Sequence, residues 1–195
     1  MRVLESGRHK DVDILFSSTT GETDWWVNHR ANDFDPGSID DLVTEFSHRN
    51  RILRSCAQKI IAAFDTDGHT PIEVRSALLT TYSFTLPQTR GALAHATAGG
   101  RAHLLAIGPL DGAEAMHGTE MHGIVGQTRP GVSDEVHARD IAVRDALIAL
   151  ATGAQDDLWE PVTTRPTARG LGDMPYDATE HAERMLDVFA GIDRP

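Results

Sequence analysis

The sequence predicts an α/β or α+β fold, a single-layer mixed sheet covered by amphipathic helices. Apolar clusters of strand length stand at 12–18 and 101–108. Around them run stretches whose apolar residues recur at three- and four-residue spacing, the period of a helix with one buried face. Each such helix needs a sheet face to cover, which leads to a layered architecture. With 195 residues, no internal repeat, no low-complexity tract and no convincing domain linker, the expected organisation is one globular domain over 1–195, large enough to fold without disulfides.

The elements follow in chain order. Val12–Ser18 reads as a strand, and Thr23–Asn28 as a second, with Gly21 turning between them into a hairpin. Ser38 then caps a long helix, with Asp41 in the box position and an apolar stripe of Ile39, Leu42, Phe46, Leu53, Cys56, Ile60 and Ala63 running to about Phe64. Ile72–Phe84 is rich in β-branched and aromatic residues and reads as a strand. Thr85 and Gln88 start a short Ala-rich helix that stops at Gly99 and Gly100. Arg101–Gly108 and Met121–Thr128 are further strands. Ser133 opens a helix to about Thr152, with Asp134 and Glu135 complementing its positive end. The Pro- and Gly-rich stretch 153–175 reads as an irregular lid or arm, and Asp177 starts a last helix stopped by Gly191.

Charge narrows the function. Eighteen Lys and Arg face 29 Asp and Glu, a formal charge of -11, which repels phosphate backbones and anionic bilayers. Nucleic acid and membrane are therefore excluded as expected partners. The lone Cys56 allows no internal disulfide, and the first twenty residues carry charges in place of an apolar signal core. A cytoplasmic setting is expected. No Gly-x-Ser-x-Gly elbow, phosphate-cradling lysine loop or dinucleotide fingerprint is present.

The densest chemistry is the run from Met116 to Gly123, which holds His117, Glu120 and His122. An imidazole oriented by a carboxylate, either Glu120 or Asp140, moves protons near neutral pH, so His122, Glu120 and His117 are the expected catalytic residues. Alternatively His117, Glu120 and His122 ligate a divalent metal and make the protein a hydrolase. The five-residue spacing of the two His, flanked by glycines, differs from the i, i+4 helical zinc pattern, so only a loop brings all three together. Otherwise no cofactor is expected.

Arg49 falls in an apolar helix stripe, where a guanidinium needs a partner. With Arg75 and Arg90 it is read as an anion-binding set for a small polar, anionic metabolite. Trp25, Trp26 and Asn28 are the expected wall of a flat polar ligand. These residues lead to a small enzyme of lyase, isomerase or cyclase type. The non-catalytic alternative is an acidic interaction domain that forms a homo-oligomer through Trp25 and Trp26 or through the 153–175 segment.

Overall fold

The computed structural model describes residues 2–29, 35–64, 66–127, 129–154 and 158–192. A first turn of helix, α1 (Arg2–Glu5), precedes strand β1 (Ile14–Thr19). Helices α2 (Asp24–His29), α3 (Ile39–Asn50), α4 (Arg54–Ala62) and α5 (Pro71–Thr80) follow, and α5 runs through a π-helical turn (Thr81–Thr85) into α6 (Leu86–Thr97). Strand β2 (Ala102–Ile107), the short α7 (Met121–Ile124), the long α8 (Asp134–Thr152), strand β3 (Ala168–Leu171) and α9 (Ala178–Val188) complete the chain.

The fold is α/β, with a three-stranded sheet in the order β1-β2-β3. Ile14 pairs with Ala102 and Leu104 with Ala168, both ladders parallel. Parallel neighbours need crossovers that place helices over the faces, so the middle strand is buried on both sides. Its alternate residues accordingly enter different layers. Ala102 and Leu104 pack with Ala92 of α6 and with Val162, whereas Leu105 and Ile107 pack with Val143 of α8 and Ala115. A separate helical core lies among α3, α4, α5 and α9, where Phe46, Tyr82 and Phe189 stack edge and face.

Four expected elements are corrected. The hairpin partner at 23–28 is instead α2, and without a hairpin the sheet is parallel throughout rather than mixed. The 72–84 stretch is helical: Thr70 and Glu73 form a capping box around Pro71. Val74, Leu78, Tyr82 and Leu86, each four residues on from the last, then share one buried face. Here tertiary burial overrides β-propensity. The single helix from Ser38 to Phe64 divides where Arg51 takes a left-handed conformation (φ 53°), its N–H closing on the carbonyls of Ser47 and His48. Ser38 does cap the first half, accepting from the Asp41 N–H. Finally, 121–128 begins as the turn of α7 rather than as a strand, and Thr128 lies outside the described residues.

The stretch 153–175 holds more order than a lid or arm. Residues 155–157 lie outside the described residues, but Val162 is buried and donates to the Ala102 carbonyl at 2.8 Å, and 168–171 form β3. Beyond β3 the chain is zipped to the loop after β2: Gly108 N–H bonds Leu171 O and Asp173 N–H bonds Pro109 O, each at 2.7 Å. This close approach requires Gly172, which has φ 89° and whose missing Cβ would stand 2.6 Å from Gly108 O. Gly172→Ala combines left-handed strain with a backbone clash and is expected to cost roughly 2–4 kcal/mol in urea unfolding. Gly191→Ala is the control, because its φ is 74° but nothing stands within 4 Å. Equal losses in the two variants would remove the clash from the account.

Among the described residues, no helix is long and apolar enough to cross a membrane.

Candidate functional site

The chain emerges from β1 into a tight turn, Thr20-Gly21-Glu22-Thr23, that lies against the loop after β2. Gly21 N–H donates to Ala115 O at 3.0 Å, and Gly21 bridges Met116 in parallel. A Cβ on Gly21 would meet that same carbonyl at 2.9 Å, so the two loops close only over glycine. The turn swings Glu22 back under the strand end, where its Oε1 accepts the Thr19 N–H at 2.7 Å. Its side chain is 3% exposed. A carboxylate so placed needs a second strong partner.

That partner is His117, whose Nδ1 lies 2.6 Å from Glu22 Oε2. Since an ionised carboxylate only accepts, Nδ1 carries the proton, which leaves Nε2 free for proton transfer. The ring rests against Trp26 (5.0 Å between centroids) and Phe84 (5.5 Å), and 51% of the side chain faces solvent. A buried acid thus holds the tautomer of a half-exposed base at the carboxyl end of a parallel sheet, where open α/β folds place their ligands.

The other expected catalytic residues lie apart from this pair. Glu120 stands at the start of α7 with Oε2 buried and without a hydrogen-bond partner among the described residues, and His122 lies half-buried within α7. Among the described residues, neither Glu120 nor Asp140 orients an imidazole. Asp140 is taken by Arg129, through a fork of 2.8 and 2.9 Å, and by Arg139 at 3.6 Å. Nor do His117, Glu120 and His122 converge as metal ligands: among the described residues, no three His, Cys, Asp or Glu side chains gather to hold an ion. His117 is drawn away by Glu22, on the loop after a different strand.

The expected anion-binding set is also redistributed. Arg49 is 62% exposed on α3 and pairs with Glu45 at 3.3 Å, rather than pointing into the core. Buried Arg75 meets the same Glu45 oxygen at 3.3 Å. Arg90 donates to the carbonyls of Ile192 and Phe189, tying down the end of α9. Trp25 is 48% exposed, whereas Trp26 turns toward His117.

Asn28 belongs to a second feature. A cleft of 1060 Å³ opens beside the strand ends, lined on one side by Thr20, Asp24 and Asn28. Within α2, Asp24 and Asn28 are one turn apart and share a face, while Trp26 lies on another against His117. The dyad and the cleft therefore stand on different sides of α2. Asp24 is fixed by the Ser76 hydroxyl, and Thr23 Oγ1 donates to Ser76 O at 2.9 Å, which knits α2 to α5. Across the cleft are Asp173, Glu180 and Arg184, with Tyr176 stacked on His181 at 3.9 Å.

Burial, reinforced by Arg184, pushes His181 down to about 4 from 6.5. The folded protein keeps this ring neutral while the unfolded chain takes up a proton below pH 6.5. Stability is therefore lost as pH falls from 6.5 toward 4 and levels off beneath, by on the order of 3 kcal/mol for this group. Urea unfolding of wild type and His181→Gln across that interval checks it: the variant is expected to lose less stability between its ends. Parallel curves would show that His181 does not contribute.

Glu22 and Asp24 were not singled out from sequence, although both sit in the turn after the first predicted strand, where a parallel sheet collects functional groups. Comparison with protein-family models and with curated proteins finds no match to the chain.

Proposed function

We propose that this protein is an enzyme of proton-transfer type, a lyase or isomerase acting on a small polar metabolite, with His117 as acid and base and Glu22 as its positioning partner. The hydrogen bond of 2.6 Å between a buried carboxylate and a half-exposed imidazole is the observation that carries the reading. A buried charge retained at a strand end and spent on orienting one surface histidine contributes little to packing. It does what general acid–base catalysis requires, since it fixes the tautomer and stabilises the imidazolium that forms in transit. Trp26 and Phe84 hold the ring in place and supply an apolar border for a substrate on its open side. The single Cys56 suits a reducing cytoplasm, and the acidic surface disfavours nucleic acid as substrate.

The test is a screen of polar hydroxy, keto and amino acids and sugars in D₂O by proton NMR. Deuterium incorporation or turnover by wild type but not by His117→Ala supports the reading. Equal exchange in both proteins for every active compound, or no active compound in the set, counts against it.

A further inference from the structure

The 1060 Å³ cleft is not used by the His117–Glu22 pair, which lies on another side of α2. Its lining is chemically one-sided. Among the described residues, four carboxylates, Asp24, Glu73, Asp173 and Glu180, border it against one guanidinium, that of Arg184, with the His69 imidazole 3.9 Å from Glu73. Glu73 is kept ionised by the N–H and hydroxyl of Thr70, which hold it below the usual carboxylate range. The lining also carries hydrocarbon: Phe64, Val74, Pro109, Met174 and Pro175.

A second observation points independently to a ligand. His181 is buried, yet its Nδ1 has no hydrogen-bond partner among the described residues, and the residue lines the cleft. A buried polar nitrogen left unpaired costs free energy that a bound donor or acceptor recovers. The stacked Tyr176 ring covers one face of the imidazole and fixes its orientation. The ring also lines the small chamber of 30 Å³ beneath the sheet end, so it stands between protein interior and cleft.

We propose that this cleft is a binding site for a small aliphatic polyamine, its ammonium groups taken by Asp24, Asp173 and Glu180 and an N–H accepted by His181. A lining of carboxylates together with hydrocarbon suits a chain that joins charged nitrogens by methylene segments. An anionic metabolite finds one cation here and four like charges. A neutral sugar leaves the carboxylates without counter-charge. Asp173 is held by its backbone N–H on the Pro109 carbonyl and the Asp24 carboxylate by the Ser76 hydroxyl, so these acids are in place before a ligand arrives.

The experiment is isothermal titration of the full chain with spermidine, with citrate and hexaamminecobalt(III) as probes of sign and of bare charge. The expected result is one spermidine per chain, no heat with citrate, and binding weakened roughly tenfold or more in Asp173→Asn/Glu180→Gln, from loss of charge-assisted hydrogen bonds. Both residues are exposed, so the fold is retained in this variant. The His181 ring resonances are expected to shift on saturation in wild type. Spermidine binding of equal strength in the variant, an unmoved His181 ring, or hexaamminecobalt(III) competing at equal affinity would overturn the proposal, the last showing only attraction of cations to an acidic protein. The titration is repeated in His117→Ala. Undiminished binding there supports a site independent of the dyad, and its loss overturns that independence, whatever the outcome for catalysis.

Discussion

Glu22→Gln is expected to lower turnover by roughly 10²–10⁴-fold while leaving the protein folded, the range for a displaced general acid–base. The reason lies in which atoms the replacement offers. Thr19 N–H requires an acceptor at 2.7 Å, so the amide oxygen must stay there and the NH₂ must face His117. An NH₂ only donates, and His117 Nδ1 must then accept, which moves the ring proton to Nε2 and leaves no lone pair on the solvent side. His117→Ala is expected to lose activity to a similar degree. The double variant is expected to fall little further, because the two groups act as a unit. A rate within a few-fold of wild type would sink the role given to Glu22.

Asp140→Ala is expected to cost about 3–5 kcal/mol, a large share of the roughly 5–15 kcal/mol that holds a domain of this kind together. Arg139 is 1% exposed, and burial already draws its proton affinity below the usual value. It keeps one bond, from NH1 to the Gly108 carbonyl at 2.8 Å, but a guanidinium cannot discharge itself to escape a site without counter-charge. Removal of Asp140 also releases the fork of Arg129, which fastens the loop before α8. Asp140→Asn is expected to fall between, since it keeps one acceptor and loses the charge. The check is the urea midpoint and slope of all three proteins. A loss below about 1 kcal/mol would mean that water reaches Arg139 when its partner leaves.

The parts of the fold that were legible in the sequence are those where local chemistry and tertiary packing agree. Ser133 caps α8 by accepting from Val136, and Asp177 caps α9 by accepting from Glu180, both at the predicted starts. β1 and β2 are apolar runs between turn residues, as buried parallel strands are. Over 72–84 the β-propensity of Val, Ile, Thr, Tyr and Phe points one way, while the four-residue spacing of Val74, Leu78 and Tyr82 and the Thr70–Glu73 box point to helix, and burial decides for the latter. β3 escaped notice because four residues with Arg169 and Gly170 at the centre carry little apolar signal; its place is set by the ladder to β2.

The site was half legible for a different physical reason. His117 stood out within its own segment, but its partner sits on the loop after another strand, and the Gly21–Ala115 contact that joins them is made by backbone atoms. Local spacing instead favoured Glu120 and His122, the neighbours in sequence. Arg49 does keep the phase of Leu42 and Phe46 within α3, but at the last turn of that helix its long side chain reaches Glu45 and water rather than the core.

The sheet's order also governs how the molecule comes off the ribosome. The strand from residues 168–171 is the outer partner of one from 102–107, and the first strand lies beyond a long helical excursion. Pairings so far apart along the polypeptide close slowly, because loop entropy must be overcome before contacts reward it. Until residues 168–171 are synthesised, one hydrogen-bonding edge of the middle strand stands open beside its apolar face. A nascent or truncated chain that stops short of residue 168 therefore presents a template for association with its own kind.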